Sequence, residues 1–213
     1  MKRYIAKTLL EIGAVNLNVS PPFTWASGRL SPIYCDNRLL MSFPDRRLEV
    51  ARGFRTLIEE NDWNVDVVAG TATAGIPHAA WLADILGLPM VYVRGAAKQH
   101  GKGNRIEGKL ERGQKVVLIE DLISTGGSSV NAAKALIDAG AELCGVAAIF
   151  TYGLEKATQR FQEAGIQFAT LTDFGILMEE ALETGSLTPA TKAIIADWQN
   201  DPGAWSTARG GAG

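Results

Sequence analysis

The chain has 213 residues, 46% of them hydrophobic and 21% charged, with a formal net charge of −2. That is enough chain for one globular domain with a sizeable core and too little positive charge to grip nucleic acid by bulk electrostatics, so no nucleic-acid partner is expected and any anion site is local. No apolar run approaches the ~20 residues needed to cross a bilayer, Cys35 and Cys144 lack metal-type spacing, and the amphipathic start MKRYIAKTLLEIGAV lacks an uninterrupted signal-peptide core; the expectation is a cytoplasmic protein with two reduced thiols and no membrane partner.

Helical and strand patterns then alternate along the chain. Residues 2–13 carry Ile5, Leu9 and Ile12 on one helical face and stop at Gly13. Turn signals at Ser27-Gly28 and Ser31-Pro32 separate two short strands. A second helix spans 44–60, with Leu48, Ala51, Phe54 and Ile58 on one face and Pro44 at a tolerated first-turn position. The strand DVVAG leads through the loop TATAG into a helix from Ile76 to about Leu86, and MVYV is the next strand. After a glycine-rich interruption come the strand KVVLIE, a loop, a helix from about Ser128 to Ala139 closed by Gly140, the strand CGVAAIF, a helix over about 154–164 and the strand IQFATL. Two helices follow, over about 173–184 and 189–199, the second with Thr188 as N-cap and Pro189 at its first position. Near-continuous apolar strands separated by helices predict an α/β fold, a parallel sheet covered on both faces, in a single domain over residues 1–200. The tail DPGAWSTARGGAG, residues 201–213, has turn-like composition and is expected to be disordered.

In such a sheet, ligands bind beyond the carboxyl ends of the strands. VVLIEDLISTGGSS, residues 116–129, falls at such a place: an apolar run, the adjacent acids Glu120 and Asp121, then hydroxyls and glycines without a lysine. Glycine-rich turns and helix N-termini present free N–H groups to anions, and Ser124, Thr125, Ser128 and Ser129 add hydroxyl donors. Carboxylates beside a phosphate repel it unless they face something else, such as sugar hydroxyls or a hydrated divalent cation. The combination fits a phosphorylated sugar. A nucleotide triphosphatase would need a G-x-x-x-x-G-K-[ST] loop, which is absent, as is G-x-G-x-x-G. A capped helix after a strand accounts for the serines and glycines and leaves the two acids unexplained.

This stretch resembles the 5-phosphoribosyl 1-pyrophosphate (PRPP) motif of the type I phosphoribosyltransferases. The resemblance implies that Glu120 and Asp121 meet the ribose hydroxyls. Residues Leu122, Ile123, Ser124, Thr125, Gly126, Gly127 and Ser128 would line the PRPP site, the loop wrapping the 5-phosphate. Residues 94–108, RGAAKQHGKGNRIEG, hold four glycines and the cationic candidates Arg94, Lys98, His100, Lys102 and Arg105 against one acid, Glu107. Read alone they are a solvated loop or hairpin tip, or a mobile cationic lid closing over an anion. RGAAKQHGKGN resembles the flexible catalytic loop of the orotate-using branch of that family, particularly its Gram-positive bacterial form. There the arginine, lysine and histidine contact the pyrophosphate and the loop reaches into the partner subunit, which implies a homodimer. FTWASGRLSPIYCDNRLL, residues 23–40, is similar to the branch's N-terminal hood, about residues 1–40. AGTATAGIPHAA resembles its pyrophosphate loop, Thr71, Ala72, Thr73, Ala74 and Gly75, with His78 a helix-surface or capping residue.

The implied activity joins PRPP to orotate, giving orotidine 5'-monophosphate and diphosphate in pyrimidine synthesis. Lys98, His100 and Asp121 would be the catalytic residues, and Ser124, Tyr34 and Tyr152 would contact orotate. Mg²⁺ would be held mainly by PRPP rather than by protein ligands. A phosphoribosyltransferase for another base and a non-catalytic PRPP sensor remain as alternatives. The chain departs from the better-known enteric form at Ala26, Ala74 and Gly95, where lysines stand, and at Tyr152, where an orotate-contacting arginine stands. Arg29 or Arg38 is the candidate to compensate.

Overall fold

The computed structural model describes residues 1–25, 27–95 and 105–213. Its centre is a six-stranded sheet in the order β10-β9-β8-β5-β6-β7. The strands are β5 (Val67–Thr71), β6 (Met90–Val93), β7 (Ile106–Glu107), β8 (Lys115–Ile123), β9 (Glu142–Thr151) and β10 (Phe168–Asp173). β5, β6, β8, β9 and β10 pair in parallel, and β7 runs antiparallel to β6. Helices α2 (Pro44–Glu60), α3 (Gly75–Leu86), α4 (Gly127–Asp138), α5 (Glu155–Glu163), α6 (Phe174–Glu183) and α7 (Pro189–Asn200) follow the strand ends, and α1 (Lys2–Glu11) precedes them all.

Both faces of the sheet are buried, which is why its strands read as apolar runs rather than as alternation. Val68, Val117, Ile119, Ala147, Ile149 and Leu171 join Ile5 and Leu9 of α1, Phe54 of α2, Leu82 of α3 and Leu177 of α6 in one apolar layer. Their neighbours Val67, Ala69, Val116, Leu118, Val146 and Ala148 join Val130 and Leu136 of α4 and Phe161 of α5 in the other. Among the described residues, no helix is long and apolar enough to cross a membrane.

Two small antiparallel pairs form the N-terminal hood: β1 (Val15–Leu17) with β4 (Ile33–Cys35), and β2 (Phe23–Thr24) with β3 (Leu30–Ser31). A 3-10 turn at Asn37–Ser42 joins the hood to α2. Asn37 is buried and its Nδ2 donates to the Asp121 carbonyl at 2.7 Å, which ties the hood to β8.

Three expectations change. β8 continues to Ile123, past the acids, because Leu122 and Ile123 keep their pairing with Phe150 and Thr151 of β9. The interruption at 94–108 has paired ends: β7 completes a sheet edge, Ile106 is buried, and the Arg94 amide donates to the Arg105 carbonyl at 2.8 Å. The tail expected to be disordered instead forms α8 (Pro202–Thr207), with Asp201 Oδ1 capping the Ala204 amide at 2.9 Å. Trp205 supplies the missing anchor; it is buried, with the Arg209 guanidinium 3.8 Å above its ring. Ser206 Oγ accepts from the Leu30 amide at 2.9 Å, and the Ala212 amide donates to the Gly28 carbonyl at 3.0 Å. One aromatic and one N-cap outweigh a composition that reads as turn.

Candidate active site

The strand order reverses between β5 and β8. From β5 the chain moves outward through α3 to β6, and from β8 it moves the other way through α4 to β9 and β10. The loops leaving these two adjacent strands therefore flank a crevice at the carboxyl edge, the place where open parallel sheets bind ligands.

The β5 side is Thr71, Ala72, Thr73, Ala74 and Gly75, with the Ala72–Thr73 peptide cis. This loop lies flush against β8: a Cβ on Gly75 would stand 2.4 Å from the Ile119 carbonyl oxygen, so only glycine fits there. Gly75 opens α3; the Ile76 amide is taken by the Thr73 carbonyl at 3.3 Å and Pro77 has no N–H, so of the first three positions Gly75 is the one whose amide remains for an anion. Thr71 Oγ1 is buried without a hydrogen-bond partner among the described residues.

On the β8 side the two acids meet different surroundings. Glu120 is buried; its Oε2 accepts from Ser129 Oγ at 3.0 Å and its Oε1 from the Asp121 amide at 3.1 Å. Asp121 is half-buried beneath the hood. Burial holds both carboxyls above the ordinary range, and for Glu120 the neighbouring Asp121 adds to the rise, so the proton of the pair favours Glu120. Ser129, read from sequence as a phosphate donor, is committed to Glu120.

The loop after β8 places Ser124 and Thr125 half-buried, Gly126 at φ 75° as the residue before α4, Gly127 in the first turn and Ser128 exposed. A Cβ on Gly126 would meet the Phe161 ring at 3.1 Å, so the left-handed turn and the close approach both require glycine. The first turn of α4 and the hydroxyls of Ser124, Thr125 and Ser128 are the groups from which the motif would build a phosphate cradle.

Beside it a cavity of about 330 Å³ opens under the hood, lined by Thr24, Trp25, Tyr34, Cys35, Leu122 and Tyr152. Tyr34 and Tyr152 are thus brought together, as expected, whereas Ser124 lies in the following loop and does not line the cavity. Tyr152 is buried with Phe150 and Trp198 edge-on to it and Trp25 5.8 Å away; burial pushes its phenol up, so it stays neutral. Burial likewise pushes the Cys35 thiol up, and its Sγ donates to Asn37 Oδ1 at 3.3 Å. Trp25 was missed as a site residue because an indole beside a turn reads as ordinary hood packing.

Arg94 follows β6 and pairs with Glu107 at 3.4 Å. Lys98 and His100, with Lys102, lie outside the described residues. Of the compensating candidates, Arg38 is held in a two-pronged pair with Asp36, at 2.6 and 2.9 Å. Arg29 lines a separate polar cleft with Thr125, Gln199 and Asp201, and its Nε is buried without a partner among the described residues. His78 is not on the helix surface: it is buried edge-on to Trp81, neither ring nitrogen has a partner among the described residues, and burial pushes its pKa down to about 4. Among the described residues, no group of three or more His, Cys, Asp or Glu side chains could hold a metal ion.

Adjacent acids near the end of β8, a glycine- and hydroxyl-rich turn into α4 and a second helix-opening loop beside them at one switch point are the arrangement expected of an α/β protein that handles a phosphorylated ligand. Residues 43–168 match the phosphoribosyl transferase domain family. Over 205 residues the chain is 56% identical to the orotate phosphoribosyltransferase of Listeria innocua, covering 96% of this chain and 98% of that one. The crystal structure of orotate phosphoribosyltransferase from Aeropyrum pernix superposes with a TM-score of 0.74 at 27% identity, over 86% of this chain and 99% of that chain. The Mycobacterium tuberculosis enzyme in complex with 5-phospho-α-D-ribosyl 1-diphosphate superposes at 0.65 with 25% identity, over 82% and 98%. The chain belongs to the orotate phosphoribosyltransferases.

Proposed function

We propose that the protein joins orotate to the 5-phosphoribosyl group of PRPP, forming orotidine 5'-monophosphate and diphosphate. The observation that carries this reading is the meeting, at one sheet edge, of the 124–128 cradle, Asp121, the 71–75 loop and the aromatic cavity, in a chain 56% identical to a relative named for this reaction. The cradle takes the 5-phosphate on its amides and hydroxyls, Asp121 accepts from ribose hydroxyls, and the 71–75 loop takes the diphosphate at the α3 N-terminus. Orotate lies between Tyr34 and Tyr152, with Trp25 closing one side.

In the reaction N1 of orotate bonds to ribosyl C1 and loses its proton, while the C1–O bond to diphosphate breaks and the electron pair leaves with diphosphate. Positive charge grows on the ribosyl ring and negative charge on the leaving group. Arg94, Lys98 and His100 stabilise the leaving group, Lys98 or His100 supplying a proton to it; preorganised donors of this type are worth on the order of 10²- to 10³-fold in rate. When bound with the substrate, Mg²⁺ supplies further charge neutralisation at the diphosphate. Asp121 holds the ribose and faces the developing charge.

A homodimer sharing residues 94–108 across its interface, and a cytoplasmic location, belong to the same reading. Supporting the first, Leu39, Met41, Phe43 and Leu48 leave 39–40% of their surfaces exposed on one connected segment, the 3-10 turn and the start of α2. Supporting the second, Cys35 and Cys144 are both free. The test of the activity is loss of orotate absorbance in the presence of protein, PRPP and Mg²⁺. Turnover with orotate and none with uracil, adenine or hypoxanthine is expected; turnover with one of those bases instead would contradict the reading.

A further inference from the structure

We propose that Arg160, on the last turn of α5, is a positioning residue for the PRPP 5-phosphate, acting through Thr125. Its Nη1 donates to both the carbonyl and the Oγ1 of Thr125, each at 3.0 Å. It reaches them across the face of Gly127, where a Cβ would stand 2.9 Å from the same nitrogen. Gly127 therefore keeps open the space through which a guanidinium grips the cradle from behind.

Two consequences follow from bond geometry. The Thr125–Gly126 peptide is planar and trans, so a carbonyl drawn outward to Arg160 turns the Gly126 N–H to the opposite side, into the cradle. Because Thr125 Oγ1 already accepts from Arg160, its own proton is directed elsewhere and is free to donate to a phosphate oxygen. A half-buried guanidinium behind the loop also leaves a fixed positive charge near the bound dianion. Sequence offers no sign of this: Arg160 sits 35 positions from its partner, in an amphipathic helix where a cation near the C-terminus reads as surface.

The role rests on residues 124–128 being the 5-phosphate cradle, and the variants separate the two. Arg160→Met should raise the KM for PRPP about tenfold, the size of one lost charge-assisted hydrogen bond, with the KM for orotate unchanged within about twofold. Since the 5-phosphate is remote from the breaking bond, kcat should fall less than KM rises. Arg160→Lys should recover most of the loss, and serves in its place should the methionine variant fail to fold, its PRPP KM then lying between wild type and Thr125→Ala. In a Thr125→Ala background, Arg160→Met should raise the PRPP KM by only about threefold, because part of its action has already gone. Equal losses for both substrates, or effects of the two substitutions that simply multiply, would overturn the positioning role. An unimpaired Arg160→Met beside an impaired Thr125→Ala would overturn it while leaving the cradle standing. An unimpaired Thr125→Ala would remove the Thr125 hydroxyl from the phosphate contacts and overturn the role argued through it.

Discussion

Glu120 and Asp121 are adjacent in the chain and divided by the fold, one sealed against Ser129 and the other half-open under the hood. Asp121→Asn keeps the shape and removes the charge, so folding stability should stay within about 0.5 kcal/mol while kcat/KM for PRPP falls about 10²-fold. Glu120→Gln should cost less than about tenfold, since this carboxyl holds the pair's proton and an amide can still accept from Ser129. Steady-state kinetics on both variants, with urea melts, check the asymmetry. His78 makes a different prediction. Its pKa is about 4 in the fold against 6.5 when free, so between these values the unfolded chain binds more protons. Stability is therefore fully present above pH ~6.5 and is lost as pH falls toward 4, by about 3 kcal/mol at most. His78→Leu should flatten that acid slope in urea melts at pH 5 and 7.5; an unchanged slope would show that another group titrates there. The raised Glu120 acts in the opposite direction, its contribution being lost as pH rises.

At the scale of elements, the hood is held from two sides, by Asn37 on β8 and by α8 and the segment after it, Ser206 holding β3 and Ala212 holding Gly28. Deleting residues 208–213 should loosen the β2–β3 hairpin that carries Thr24 and Trp25 to the cavity, raising the KM for orotate several-fold while the PRPP KM stays within about twofold. Equal changes in both would mean that the tail supports the fold at large. The parallel sheet, the helices between its strands and the glycine turn into α4 were legible in the sequence, because strands buried on both faces are continuously apolar and a glycine-rich turn is a local pattern. What was not legible depends on partners distant in the chain. α8 needs β3 as its seat, β7 needs the edge of β6, and Arg160 meets Thr125 only when α5 lies beside the α4 N-terminus. Trp25 likewise becomes a cavity wall only opposite Tyr152.

For the whole molecule, the exposed strip of Leu39, Met41, Phe43 and Leu48 predicts self-association at about twice the 22.8 kDa chain mass. Met41→Glu with Leu48→Glu should shift sedimentation toward the single-chain mass. Lys98→Ala should lower kcat by about 10²-fold or more with little effect on the melting temperature. Mixed with Asp121→Asn chains, after subunit exchange is confirmed, it should regain part of the activity, because a hybrid dimer with a shared loop holds one site with both residues intact. Confirmed hybrids that remain inactive would assign the loop to its own subunit. The most direct test of the assignment is a competition: orotate, uracil, adenine and hypoxanthine at equal concentration, limiting PRPP with Mg²⁺, and the products separated by mass spectrometry. The account predicts orotidine 5'-monophosphate and an equal amount of diphosphate as the products, with no other nucleotide. Another nucleotide in its place, or diphosphate released without any nucleotide, would contradict it.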